Sequence, residues 1–161
     1  MKNKKGFTLI ELLAVIVVLA IVTVIATQSI LPFMSNAGRD AFASEGNIAI
    51  DGAEDAMSLI QMGSIADTAY TKVSDTEYCF TIANLKTLGL FQKDDTSYGG
   101  TVTVIKDGNS YTYKTEMHND KYYVKTTGGT IKSEAYHATN QPNGVGELTD
   151  TIKSGLKVSC S

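Results

Sequence analysis

The sequence predicts an α+β protein in which a long N-terminal helix, kinked near Pro32, packs its C-terminal half on an antiparallel β-meander of about four strands. Two observations support this prediction. An apolar run over residues 7–31 continues into a segment with helical spacing that extends to residue 63, and from Thr101 onward the apolar residues recur with a period of two. The helix therefore comes first along the chain and the sheet follows it.

The apolar run is long enough to cross a membrane. It has 25 residues from Phe7 to Leu31, and Glu11 is its only ionisable side chain. At about 1.5 Å per residue, a helix of this length exceeds the hydrocarbon core of a bilayer, which is about 30 Å thick. Because lysines precede the run and acidic residues are common after it, we expect a single-pass precursor in the cytoplasmic membrane with its N-terminus inside.

Three interpretations of this run compete, and Glu11 separates them. A cleaved secretory signal is disfavoured, because the run is too long and no A-x-A site closes it. A plain membrane anchor leaves the acid unexplained, since an acid at the centre of an apolar span costs about 2.5–3.5 kcal/mol. A helix that is stored in the membrane and later packs against copies of itself accounts for the acid, provided that another chain supplies a cation.

The stretch KKGFTLIELLAVIVVLAI, residues 4–21, closely resembles the N-terminus of bacterial type IV pilins and the related pseudopilins, and we expect a Gram-positive type IV pilin. The resemblance implies that a prepilin peptidase cuts after Gly6, which removes residues 1–6 as a leader, and methylates the new amino group of Phe7. It also implies that Glu11 pairs with the N-terminal amine of a neighbouring subunit and so sets the register of assembly. The implied partners are copies of the chain in a filament, minor pilins, the peptidase and, indirectly, a membrane platform protein and an assembly ATPase.

Beyond the apolar run, residues 32–63 are predicted to form an amphipathic continuation of the helix. Pro32 removes a backbone donor and crowds the carbonyl of Gln28, which predicts a kink. Many Gram-negative pilins carry prolines at the positions of Gln28 and Ile48, so the resemblance leaves the places of bending open. The predicted apolar face consists of Phe42, Ala49, Ala53, Ala56 and Ile60.

Four glycines punctuate this second half of the helix. Gly38, Gly46 and Gly52 each weaken a helix by about 1 kcal/mol relative to alanine. They are either tolerated weak points or functional positions, which serve close helix packing or a helix that can stretch under load. The sequence favours neither interpretation. Gly63 should end the helix.

The remaining chain is predicted in three segments. Residues 64–100 connect the helix to the sheet, with one short helical turn in ANLKTLGLF. Residues 101–138 form the sheet, because TVTVIK, SYTYKTEM, KYYVKTT and TIKSEAYHA are separated by glycine- and asparagine-rich turns. Residues 139–161 are predicted as a C-terminal loop region.

Cys79 and Cys160 lie outside the apolar run. In an extracellular body they are expected to pair, and two free thiols are the alternative. A bridge would close a loop of about 80 residues, for which chain-entropy estimates give roughly 4–5 kcal/mol as an upper figure. The pilin family often ties its C-terminal segment with a disulfide, although with a shorter loop, so the likeness is one of role.

No catalytic, metal-binding or cofactor-binding pattern is found, so no enzyme activity, metal or cofactor is expected. His118 and His137 stand alone and are expected to be exposed. The formal charge of −3, with a single arginine, disfavours binding to nucleic acid. We therefore expect a structural subunit that polymerises through its N-terminal helix into a surface pilus for adhesion, motility or biofilm formation. The alternatives are a pseudopilin of a secretion or DNA-uptake machine and an anchored monomeric binding domain.

Overall fold

The computed structural model describes residues 6–93, 96–128, 131–135 and 143–160, and for residues 29, 31, 32 and 132–135 it describes the backbone alone. The chain divides after Ala37 into two compact units, and the first helix contributes residues to both. In chain order the described elements are α1 (Leu9–Gln61), a 3₁₀ helix (Asp67–Ala69), β1 (Thr71–Lys72), β2 (Glu77–Thr81), α2 (Ile82–Thr87), β3 (Gly99–Asp107), β4 (Ser110–His118), β5 (Tyr122–Thr126), β6 (Lys132–Ala135), β7 (Gly144–Glu147) and α3 (Asp150–Lys153).

The first unit is the N-terminal part of α1. From Phe7 to Ile30 every described side chain is exposed. By length and composition alone, α1 is the one helix in the described chain that could cross a membrane. An apolar surface of this extent is unfavourable in water, so it requires either lipid or other helices around it.

The second unit contains the rest of α1 and a core formed with the sheet. Four residues of the predicted apolar face are buried, and the fifth, Ile60, is partly buried against the same core. Phe80, Leu85 and Val102, from β2, α2 and β3, are all fully buried in this core. The predicted packing of the second half of the helix on one face of the sheet is therefore confirmed.

The end of α1 follows from Gly63. Its φ of 67° lies in the left-handed region, which glycine adopts without steric cost. The N–H of Gly63 donates to the carbonyl of Ile60 at 2.9 Å, and the N–H of Ser64 donates to the carbonyl of Leu59 at 2.9 Å. This pair of bonds is a Schellman motif, which satisfies carbonyls that the helix end would leave unpaired.

The three glycines within α1 lie where the rest of the unit approaches the helix most closely. A Cβ atom at Gly52 would lie 2.6 Å from the carbonyl oxygen of Leu90. One at Gly46 would lie 2.5 Å from Cδ1 of Ile131, and one at Gly38 would lie 2.6 Å from the hydroxyl oxygen of Tyr122. These distances support close packing at the three glycines.

The strands form one seven-stranded sheet with the order β1-β2-β3-β4-β5-β7-β6. Each of the strand pairs β1–β2, β2–β3, β3–β4, β4–β5 and β5–β7 is antiparallel. The pair β6–β7 is parallel. The β3–β4 hairpin turns at Gly108, whose φ is 59°. The α+β fold class, with a long N-terminal helix followed by a largely antiparallel sheet, is confirmed.

The strand count differs from the prediction of about four. The four predicted strands correspond to β3, β4, β5 and β6, whereas β1, β2 and β7 lie in segments predicted as loop. β7 lies between β5 and β6, so the fourth predicted strand does not continue the meander. The sequence of β7, GVGE, shows no alternation of apolar and polar side chains. At Gly146 there is no room for a side chain, because a Cβ atom would lie 2.3 Å from the ring of Tyr123.

His118 corrects one expectation. The sequence predicts an exposed side chain, whereas only 6% of the surface of His118 is accessible. It is the last residue of β4, and its ring lies against Gly99, where a Cβ atom would lie 2.8 Å from Nε2. The absence of a side chain at Gly99 makes room for the imidazole. His137 lies outside the described residues.

Candidate assembly site at the start of the helix

The predicted cleavage position lies just before α1. Gly6 and Phe7 have no regular secondary structure, and the side chain of Phe7 is 92% exposed. A Cβ atom at Gly6 would have no neighbour within 4 Å. Packing within the described chain therefore gives no reason for a glycine at this position, which leaves recognition by another protein as the expectation.

The first turn of α1 contains a capping box formed by Thr8 and Glu11. The backbone N–H of Thr8 donates to Oε2 of Glu11 at 2.8 Å, and the Thr8 hydroxyl donates to the same oxygen at 2.9 Å. In return, the N–H of Glu11 lies 3.4 Å from Oγ1 of Thr8. In this arrangement the N-cap residue and the third helical residue satisfy donors that the start of a helix would leave unpaired.

Thr8 is the functional residue that sequence reasoning missed. The signal was present as T-x-x-E directly before an apolar run, which is the sequence form of a capping box. The sequence also offers no cation near Glu11 on the same helix face. The structure adds that Glu11 already has polar partners within its own chain, in a segment where every other described neighbour along the first turns is apolar.

Pro32 lies inside α1, which is continuous from Leu9 to Gln61. Its backbone is therefore helical. The kink remains a prediction.

Cys79 and Cys160 form a disulfide whose Cα atoms are 5.7 Å apart. Cys79 belongs to β2, and its side chain points away from α1, since the neighbouring Phe80 points into the core. The N–H of Lys157 donates to Oε2 of Glu116 at 2.8 Å, and the hydroxyl of Thr101 donates to the carbonyl of Lys157 at 3.4 Å. The C-terminal segment is thus attached to β2, β3 and β4 on the face of the sheet opposite the helix.

The start of the chain matches a known family. Residues 1–27 match the family described as the prokaryotic N-terminal methylation motif. No curated protein and no solved structure is significantly similar to the chain. The matched segment includes the cleavage position, Phe7 and the Thr8–Glu11 capping box.

The chain therefore carries the class III signal of type IV pilins and pseudopilins. This signal lies at the start of a long apolar helix, and the two together fit a precursor that is anchored in the membrane. Within the described residues no group of three or more His, Cys, Asp and Glu side chains is placed to hold a metal ion.

Proposed function

We propose that the protein is a type IV pilin, a structural subunit that polymerises through α1 into a filament on the cell surface. The observation that carries the proposal is the single acid at Glu11 in the class III signal, within a stretch of α1 whose other side chains are apolar or uncharged and exposed. A carboxylate in such a span is unfavourable unless a cation reaches it. The methylated amine of Phe7 from an adjacent subunit supplies that cation.

The proposed topology follows from the same segment. The leader and its lysines remain in the cytoplasm, the apolar part of α1 spans the membrane, and the body lies outside. Cleavage after Gly6 frees the amine of Phe7, and the apolar helix then exchanges lipid for other copies of itself. Adhesion, motility and biofilm formation are the roles proposed for the resulting filament.

The second candidate is a pseudopilin of a secretion or DNA-uptake machine. The methylation motif is shared by both classes, so it favours neither. The body favours a surface pilin, because its seven-stranded sheet and its covalently attached C-terminal segment present a large folded surface to the outside. Electron microscopy of cells with and without the gene separates the two candidates, since a pilin is expected to account for long surface filaments.

Glu11→Gln tests the pairing directly. The change is nearly isosteric and removes the charge, so membrane insertion should be normal or slightly easier. In a filament it would leave the neighbour's amine without its carboxylate, and breaking a buried pair from one side costs about 3–5 kcal/mol. We expect normal amounts of processed protein in the membrane fraction and few or no filaments when the variant is the sole subunit.

The measurement is the yield of sheared surface filaments, with microscopy, beside an immunoblot of the membrane fraction. A plain membrane anchor predicts no effect of the substitution. Wild-type filament yield from Glu11→Gln alone would remove the pairing from this account.

A further inference from the structure

We propose that Thr8 is a positioning residue for Glu11. It holds one oxygen of the carboxylate within its own chain and leaves the other directed to the cation of a neighbouring subunit. The inference rests on the proposed function, because it concerns how the Glu11 carboxylate meets that cation.

The hydrogen bonds of the carboxylate are one-sided. The N–H and the hydroxyl of Thr8 both donate to Oε2, at 2.8 and 2.9 Å. Within the described residues Oε1 accepts no hydrogen bond. A carboxylate has roughly four lone-pair positions, so the side chain is held at one oxygen and open at the other.

An open carboxylate oxygen in an apolar span has a specific cost. Without water or a donor the charged form is strongly disfavoured, and such a group takes up a proton or leaves the apolar region. Two charge-assisted bonds from a residue three positions earlier offset part of this cost without a partner chain. The Glu11 carboxylate is therefore held in one orientation before a neighbouring subunit arrives.

The arrangement is independent of leader removal. Cleavage after Gly6 leaves the peptide bond between Phe7 and Thr8 intact, so the N–H of Thr8 remains an amide donor in both the precursor and the mature chain. The freed amine of Phe7 is the group offered to the next subunit. Each chain thus carries a cation at Phe7 and a pre-oriented acceptor at Glu11, both at the same end of the helix.

The test compares variants expressed as the sole subunit. Thr8→Val removes the hydroxyl and keeps the shape, whereas Thr8→Ser keeps the hydroxyl. Thr23→Val is the matched control, because the hydroxyl of Thr23 donates to the carbonyl of Leu19 at 2.7 Å in the same apolar helix without contacting Glu11.

We expect Thr8→Val to lower filament yield about five- to thirty-fold, the factor that matches the loss of one N-cap. Thr8→Ser and Thr23→Val should resemble the wild type. Intact mass should show normal processing, and helix content by far-UV circular dichroism should be equal in Thr8→Val and Thr23→Val. Wild-type yield from Thr8→Val, or a loss of helix content that accounts for the lower yield, would overturn the positioning role.

A second measurement covers the case in which Thr8→Val blocks processing. In the full chain held in detergent micelles, the amide resonance of Thr8 should lie downfield and move upfield in Glu11→Gln, while the amide of Thr23 stays in place. An unchanged Thr8 amide would overturn the inference.

The two proposals fail separately. If Glu11→Gln abolishes filaments while Thr8→Val does not reduce them, the pairing stands and the positioning role of Thr8 is wrong. If Glu11→Gln forms normal filaments, the pairing itself is wrong.

Discussion

At the residue scale, Thr115 is the exception in a well-paired interior. Its side chain is fully buried on β4 between β3 and β5, and among the described residues its hydroxyl is the one buried side-chain polar atom without a hydrogen-bond partner. Burying an unpaired hydroxyl costs about 1–3 kcal/mol on the scale of protein mutational data. Thr115 is therefore a position where the native residue lowers stability.

Thr115→Val should raise the free energy of unfolding by about 1 kcal/mol, because it keeps the shape of the side chain and removes the unpaired group. Thr101→Val is the matched control: this threonine is also buried, but its hydroxyl donates to the carbonyl of Lys157. We expect the control substitution to be neutral or destabilising. Denaturant unfolding of the full chain in detergent, followed by near-UV circular dichroism, checks both, and destabilisation by Thr115→Val would contradict the account.

Tyr113 predicts a pH dependence. Burial and a hydrogen bond to Glu54 raise the pKa of Tyr113 above its usual value, which is about 10. Since the folded state holds this proton more tightly than the unfolded state, the stabilisation is complete below about pH 10 and falls as the pH rises towards the folded pKa. In Tyr113→Phe the decline of unfolding free energy above about pH 10 should be shallower than in the wild type. Equal slopes would be contrary evidence.

At the element scale, α1 combines poor helix formers with close packing. Its glycines reduce helix propensity, yet they let a backbone carbonyl and two side chains approach the helix axis. At these positions the helix is stabilised by tertiary contacts and not by local helix propensity.

The same substitution at two of these glycines should have different effects. Alanine in a helix gains about 1 kcal/mol over glycine. At Gly52 the new Cβ would meet the carbonyl oxygen of Leu90, which is backbone and cannot turn aside, so Gly52→Ala should be destabilising by about 1–3 kcal/mol. At Gly46 it would meet the flexible end of Ile131, so Gly46→Ala should cost less or be neutral. Thermal unfolding of both variants checks the order, and equal costs would contradict it.

The elements that the sequence predicts are those with a repeated local signal. The face from Phe42 to Ile60 follows the helical period, and β3, β4 and β5 alternate between turn residues. β1 has only two residues, and β7 consists half of glycine, so neither carries a pattern that could be detected. In the first turn of α1, the pattern T-x-x-E predicts a capping box. That both donors of Thr8 bind the same oxygen, Oε2, depends on side-chain orientation, which a sequence does not specify.

At the scale of the whole molecule, the disulfide joins β2 to the C-terminal segment, across a sequence separation of 81. Replacing both cysteines by alanine should lower the free energy of unfolding by about 2–5 kcal/mol. Reductant should lower the free energy of unfolding of the wild type to that of the double variant, and it should leave the value for the double variant unchanged. Thiol labelling of both sites in unreduced protein from the cell surface would show that the bridge does not form there.

Maturation also belongs to this scale. We predict that the protein recovered from surface filaments lacks residues 1–6 and carries a methyl group on the amine of Phe7. Intact mass spectrometry measures both changes at once. Gly6→Leu should block cleavage and leave an inserted, unassembled precursor, whereas filaments built from full-length precursor would contradict the prediction.

The position of the two cysteines also sets an order of events during biogenesis. In the proposed topology the body emerges from the membrane starting at its helix, so Cys79 reaches the oxidising side long before Cys160. The chain between them must emerge before the bond closes, and by then every described strand from β2 to β7 has already emerged. In the proposed topology the bond can therefore form only after the chain has been exported as far as Cys160.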